Sequence, residues 1–144
     1  MSEYIRTSHA VIVTDDLSTI LAEKNARFGG KITLFGGKLE DGESHLDGLK
    51  RELFEETGIN FNDNEIKTLI ENDKLVLGDK TFLGFVYYII ISKKRVTDIL
   101  KHSEKNIVID TSFEGVGKID LAFEEVRTKI EECLIRLNDI KLNN

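Results

Sequence analysis

The chain reads as an α/β protein, a sandwich of mixed strands and helices, and three observations predict that class. The segment FLGFVYYIII, residues 82–91, is rich in aromatic and β-branched side chains, the composition of a central strand. A capped helix is written into the middle of the chain, between Ser44 and Gly58. A long amphipathic helix is predicted over Ile119–Leu137, with apolar residues at 119, 123, 126, 130, 134 and 137. Strands around one helix and ahead of another give a layered α/β arrangement.

The elements follow in order. His9–Thr14 (HAVIVT) is a short apolar strand, Asp15–Ser18 a turn, and Thr19–Glu23 the second arm of a hairpin. Asn25–Lys31 is a loop around Gly29-Gly30, and Ile32–Phe35 a strand running into Gly36-Gly37. Ser44 and Asp47 form an S-x-x-D capping box that starts a helix over residues 44–57, and Gly58 stands where a left-handed residue would end it. Glu65–Glu71 is a strand, and Leu75–Leu77 and Thr81–Ser92 flank the hairpin signal Gly78-Asp79. Arg95–His102 is a short helix and Asn106–Asp110 a further strand.

Composition narrows the function. The chain has 144 residues, 40% hydrophobic and 32% charged, which fits one soluble domain over residues 1–144 with a proper core. The N-terminus lacks the basic and apolar regions of a signal peptide, and the run Phe85–Ile91 is too short to span a bilayer. Cys133 is the single cysteine, so no intramolecular disulfide forms, in keeping with a reducing cytoplasm; it reads as a small apolar residue on a helix. A net charge of −6 disfavours general nucleic-acid binding. An acidic protein handling phosphates must rely on metal ions to neutralise its ligand.

Residues 37–59, GKLEDGESHLDGLKRELFEETGI, carry the chemistry. They follow G-x5-E-x7-R-E-U-x-E-E-x-G-U, with U aliphatic, and every fixed position is filled. A chance match has a probability on the order of 10⁻⁷ at average residue frequencies. On a helical wheel with Leu49 at the origin, Leu46 and Leu53 lie at about 60° and 40°, an apolar stripe that packs on a sheet. Glu56, Glu52 and Glu55 follow at about −20°, −60° and −120°, at the border of core and solvent. Glu52 and Glu56 are one turn apart, and such like charges repel unless a cation joins them. Carboxylate oxygens suit Mg²⁺ or Mn²⁺. Gly48, at about −100°, clears space beside this acidic arc or admits a loop. Taken alone, an acidic run is a solvated helix face; the full pattern favours metal-dependent chemistry.

This pattern is the Nudix box, and here the chain resembles the Nudix hydrolase family, which includes MutT-type nucleotide pyrophosphohydrolases. The likeness spans most of the chain in element order and is specific over residues 34–59. It implies a Nudix-type α/β/α sandwich with a mixed β-sheet between helices. It also implies Mg²⁺-dependent hydrolysis (Mn²⁺ as substitute) of a nucleoside diphosphate linked to another group. Glu52, Glu55 and Glu56 match the metal-binding carboxylates, and Gly36 a position whose carbonyl ligates metal. Glu52 also matches the base for the attacking water, a role that Glu56 or a later acid takes in some members. Arg51 matches an arginine that holds the carboxylates by ion pairing, and its spacing to Glu55 allows that. Glu43 matches a loop glutamate that supports metal or water, and Lys38 a lysine near the base, with an exposed loop lysine as the alternative. Arg27 and Lys31 flank Gly29-Gly30 and are either phosphate contacts or plain surface cations. For the carboxylate that a later loop often adds, Glu104 is the first choice, with Asp98, Asp110 and Glu114 as rivals. His45 reads as solvated, and Tyr87 and Tyr88 as sheet residues.

Substrate choice stays open. Phe35-Gly36-Gly37-Lys38 with Asp47-Gly48 looks like members that cleave modified nucleoside triphosphates, but their purine-reading residues are not recognisable here. The alternatives are ADP-ribose, a dinucleoside polyphosphate or a nucleotide sugar, or a non-catalytic nucleotide-binding module. An RNA 5′-end hydrolase is disfavoured by the acidic charge. A cytoplasmic protein acting on small molecules, with a possible homodimer, completes the expectation.

Overall fold

The structure, a computed structural model, describes residues 4–112 and 124–142. In chain order it has β1 (Tyr4–Thr14), β2 (Thr19–Asn25), β3 (Lys31–Thr33), β4 (Phe35–Lys38), α1 (His45–Thr57), β5 (Ile66–Leu77), β6 (Lys80–Ile91), α2 (Lys93–His102), β7 (Asn106–Asp110) and α3 (Glu124–Leu142). The seven strands form one mixed sheet ordered β3-β2-β1-β6-β5, with β4 also on β1 and β7 also on β2. β1 and β6 pair in parallel from Tyr4↔Thr81 to Thr14↔Ile91, and the other neighbours are antiparallel.

Alternation along the strands assigns the two faces. Ala10 and Ile12 of β1 face α1 and α2, packing with Leu21, Phe35 and Ile89 against Leu49, Leu53 and Ile99. Val11 and Val13 face the other way, with Ile20, Ala22 and Val86 against Val126, Ile130 and Cys133 of α3. The sheet therefore lies between helices, as expected. Tyr87 belongs to the α1 face and Tyr88 packs on the α3 face, both as sheet residues. Cys133 is fully buried, and burial pushes its thiol up to about 12, so it is an apolar filler. Leu53 has no exposed surface. Leu53→Ala should lower stability by about 2–5 kcal/mol, read as a reduced midpoint in urea denaturation at unchanged slope.

Several boundaries differ from those read in the sequence. β1 starts at Tyr4 rather than His9, because parallel pairing with β6 supports its polar first half. The expected loop 25–31 holds a 3-10 turn over Ala26–Phe28, capped by the Asn25 side chain and closed by left-handed Gly29. The strand expected at Ile32–Phe35 is divided into β3 and β4, which pair with different partners. Glu65–Glu71 and Leu75–Leu77 are one strand, β5, with register shifts against β6 between Thr68 and Ile70 and between Ile70 and Asp73. Asn72 takes a left-handed φ of 55° in the second irregularity. Such bulges keep a strand paired while re-aiming its side chains. Of the C-terminal helix, 124–142 is seen; its expected start at Ile119 lies outside the described residues.

Candidate active site

α1 begins and ends as its sequence dictates. The Ser44 side chain accepts the Asp47 N–H at 3.0 Å, and Gly58 closes the helix with φ 77°. Its C-terminal carbonyls are held from outside: His102 Nε2 lies 3.0 Å from the Glu55 carbonyl, and Asn106 Nδ2 donates to the Glu56 carbonyl at 2.9 Å. At the other end Ser8 Oγ donates to the His45 carbonyl at 2.8 Å, and Arg6 to the Glu43 carbonyl at 2.6 Å. The helix is thereby fixed on β1 and β4.

Two glycines set its approach to β4. Gly36 has φ 131°, and a side chain there would collide with the Ser8 carbonyl of β1. Gly37 lies against the Glu52 carboxylate, whose Oε1 would be 3.0 Å from an added Cβ. The bare β4 backbone thus receives both box carboxylates: Glu52 rests on Gly37, and Glu56 Oε1 accepts the Gly36 N–H at 2.8 Å. Gly48 admits the box loop, because a Cβ there would strike the Leu39 side chain and crowd Glu43. Gly48→Ala should therefore loosen the box loop, seen as lower thermal stability and faster amide exchange at Leu39 to Glu43.

Glu52 and Glu56 line a pocket of about 270 Å³ together with Glu23, Asn25, Gly36 and Gly37, and with the cationic Arg27 and Lys38. Glu23 is the residue that sequence reasoning missed. It ends the segment Thr19–Glu23, and Leu21, two residues earlier, packs on the α1 face. Period-2 alternation sends Glu23 to that same face, and an acid at a core-facing position was the available signal. Burial, then the hydrogen bond and charge of Glu23, push the Glu56 carboxyl up to about 10. Burial also raises Glu52, with Arg51 opposing. A cation's charge in this pocket would offset the like charge that Glu23 and Glu52 set beside Glu56.

Arg51 organises the other side. Its guanidinium donates to Glu43 Oε2 at 2.8 Å and Oε1 at 3.0 Å, to Glu52 at 3.1 Å and to the Lys38 carbonyl at 3.3 Å. Glu55 stands 3.7 Å away with its side chain 58% exposed. Glu55, furthest round the wheel, is on the solvent side of that arc and does not line the pocket that Glu52 and Glu56 share. Glu43 also accepts the Glu40 N–H at 2.7 Å, so it grips Arg51 and the loop and does not line the pocket.

Glu104 is exposed in the turn before β7 and does not line the pocket; Asp98 and Asp110 are exposed as well, and Glu114 lies outside the described residues. Glu104 is in a turn, Asp98 on the outer face of α2 and Asp110 at the end of β7, positions that leave all three acids in water. His45 is half-buried, not solvated, because its ring stacks on Phe85 with centroids 4.1 Å apart. Burial pushes His9 down to about 4, so it is a neutral imidazole at physiological pH.

The donor set suits a hard divalent ion: carboxylate oxygens of Glu23, Glu52 and Glu56 with the Gly36 backbone nearby. Among the described residues no three acidic, His or Cys side chains already converge on one point. Glu52 is engaged by Arg51, and its rotation toward Glu56 would tighten the set. A second cleft, of about 450 Å³, continues from the pocket beneath α3 and shares Asn25, Arg27, Gly36, Gly37 and Lys38 with it.

Fold and site together define an α/β/α protein with a carboxylate pocket at the edge of a glycine-bearing strand. The NUDIX domain model matches residues 5–135, and the chain belongs to the Nudix family. Among solved structures it is similar to a mutT/nudix family protein from Listeria innocua, at 18% identity, TM-score 0.76 and full coverage of both chains. The MutT protein from Methanosarcina mazei Go1 is 27% identical over 95% of this chain and 96% of its own, with TM-score 0.67. Shewanella oneidensis NrtR is 20% identical with TM-score 0.76, and the match covers 94% of this chain and 64% of NrtR. A further NrtR structure, complexed with a 27mer DNA, is 22% identical. No curated protein has a matching sequence.

Proposed function

We propose that this chain hydrolyses a nucleoside diphosphate linked to another group, with a nucleoside triphosphate, modified or not, as the first substrate class and Mg²⁺ as the ion. The observation that carries this reading is the placement of Glu52 and Glu56 beside Glu23, Arg27 and Lys38 in one pocket on the Gly36-Gly37 backbone. A bound divalent ion supplies Lewis acidity and lowers the pKa of water. Glu52, Glu56 and Glu23, with the Gly36 carbonyl, would hold it. Arg27 and Lys38 face the diphosphate. A carboxylate of the Glu52–Glu56 pair takes the water's proton, and the Gly36 N–H and Arg51 keep those carboxylates in place. The products are two separate phosphorylated molecules. A single domain over residues 1–144, acting in the cytoplasm on small molecules and assembled as a homodimer, goes with this reading; among the described residues no helix is long and apolar enough to cross a membrane.

Incubation with a nucleotide panel and Mg²⁺, with Glu52→Gln alongside, tests the reading. Pyrophosphate release from triphosphates supports it. AMP release from ADP-ribose or dinucleoside polyphosphates would move the substrate to that alternative. Tight nucleotide binding with no turnover would favour a non-catalytic nucleotide-binding module; against it, every box glutamate is retained.

The raised Glu56 carboxyl gives a pH prediction. Its proton must leave before a cation binds, so cation affinity rises with pH in the range below its raised pKa. Mn²⁺ titration followed by electron paramagnetic resonance should show tighter binding at pH 8.5 than at pH 6.5. Equal affinity at both would contradict the role of Glu56 as ligand.

A further inference from the structure

The last turn of α1 is fastened by one short stretch of chain, 102–106, where α2 ends and β7 begins. Asn106, the first residue of β7, is 6% exposed. Its Nδ2 donates to two carbonyls at 2.9 Å each, that of Glu56 on α1 and that of Ile99 on α2. A primary amide has two N–H hydrogens, and both are spent here. Its Oδ1 is buried with no partner among the described residues, so the side chain is held there for its donors. The same residue is the cross-strand partner of Glu23, at the end of the β2–β7 register. Directly opposed residues of an antiparallel pair point to one face of the sheet, with Cβ atoms about 4.5–5.5 Å apart. Beside this pair the Lys24 N–H donates to the Lys105 carbonyl at 2.8 Å.

Asn106 therefore joins the two sides of the acidic pocket without lining it. β2 brings Glu23 to the pocket and α1 brings Glu56; Asn106 is paired with the first and hydrogen-bonded to the backbone of the second. Glu56 is thus pinned twice, at its carbonyl by β7 and at its carboxylate by the Gly36 N–H of β4. The brace opposes a real force. Like charges on Glu23 and Glu56 push the strand and the helix end apart, and a hard ion needs their oxygens at one fixed spacing. We propose that Asn106 is a positioning residue that fixes the spacing of Glu23 and Glu56, and so sets the divalent-ion affinity of the pocket from behind it. The ion-binding half of this rests on the nucleotide-hydrolase reading above. His102 is the natural contrast. Its Nε2 lies 3.0 Å from the neighbouring Glu55 carbonyl, in space that Gly58 leaves for the ring. It is exposed, stands outside the β2–β7 ladder, and fastens a residue that does not line the pocket.

The test uses the full chain and the variants Asn106→Ala, Asn106→Ser, which keeps one donor, and His102→Ala. Circular dichroism and urea midpoints record folding and stability. In metal-free protein, side-chain carboxyl NMR of the Asn106 variants should show the Glu23 and Glu56 signals displaced. The Glu43 signal, from the other end of α1, should stay in place. Mn²⁺ binding followed by electron paramagnetic resonance should weaken by about tenfold or more in Asn106→Ala, the cost of losing a group that orients ligands, and by less in Asn106→Ser. With Mg²⁺ and a nucleotide that is turned over, the loss should fall on kcat, with KM near that of the parent. His102→Ala should lower stability yet leave the carboxyl signals and the Mn²⁺ affinity near those of the parent. The proposal is overturned if the Glu23 and Glu56 signals stay in place, if folded Asn106 variants keep the parent's Mn²⁺ affinity, or if His102→Ala weakens Mn²⁺ binding as much. Failure of both Asn106 variants to fold also overturns it, since the residue would then serve stability. A parent that binds no Mn²⁺ and cleaves no nucleotide would remove the hydrolase reading instead, and displaced carboxyl signals would still uphold the spacing role.

Discussion

Glu56→Gln should lower kcat/KM by about 10²–10⁴-fold with the fold intact. The substitution is nearly isosteric, and the amide oxygen still accepts the Gly36 N–H that now reaches Glu56 at 2.8 Å. What disappears is the ability to carry a negative charge into the pocket shared with Glu23 and Glu52. Both roles open to Glu56, ion ligand and proton acceptor, need that charge. Glu55→Gln serves as the internal comparison. Its carboxylate is mostly exposed and lies 3.7 Å from Arg51, so it should change kcat/KM little. Glu23→Gln should resemble Glu56→Gln in direction, since the two acids face each other. Pyrophosphate or phosphate release in Mg²⁺ buffer measures all three. Near-normal turnover by Glu56→Gln, or a greater loss in Glu55→Gln, would remove the pocket as the site of chemistry.

That contrast among the box acids shows how far the sequence could be read. Capping signals and glycine placement located α1 to within a residue at each end, because both act over a few neighbouring residues. The wheel sets Glu56, Glu52 and Glu55 in that order from the core side to the solvent side of the helix. It did not show where the pocket's edge falls on that arc, because β4 and β2 draw that edge from elsewhere in the chain. Alternation along β2 puts Glu23 on the core-facing side, but that it meets Glu56 there is set across the fold and not by its neighbours in the chain. The strands were found by composition, but β1 and β5 are longer than their apolar cores. Pairing with β6 extends them over polar residues such as Arg6 and Asp73. The bulges that turn Asp73 toward Lys129 of α3 leave no pattern that a period-2 reading detects.

Arg51→Ala should reduce both divalent-ion affinity and kcat/KM by about 10–100-fold, the usual cost of removing a group that orients the ligands. Arg51 reaches Glu43 through two bonds, Glu52 through one and the Lys38 carbonyl through another. It thereby joins the box loop, the end of β4 and a pocket carboxylate. Arg51→Lys keeps the charge but not the planar fork, so it should recover only part of the loss. A pH readout separates this role from simple loss of packing. Hydrogen bonds from Arg51, then from the Glu40 N–H, hold the Glu43 carboxyl down to about 2. A carboxyl with a depressed folded-state pKa stabilises the fold above its unfolded value, and that contribution is lost as pH falls from there through the folded value. Without Arg51 the depression relaxes, so the box loop should come loose at higher pH than in the parent protein. Side-chain carboxyl titration by NMR should place Glu43 of Arg51→Ala closer to the ordinary glutamate range. Amide exchange at residues 39–44 should show the loop opening earlier on acidification. An unchanged Glu43 titration in that variant would mean that the guanidinium does not set the loop's charge state, and the positioning role would fail with it.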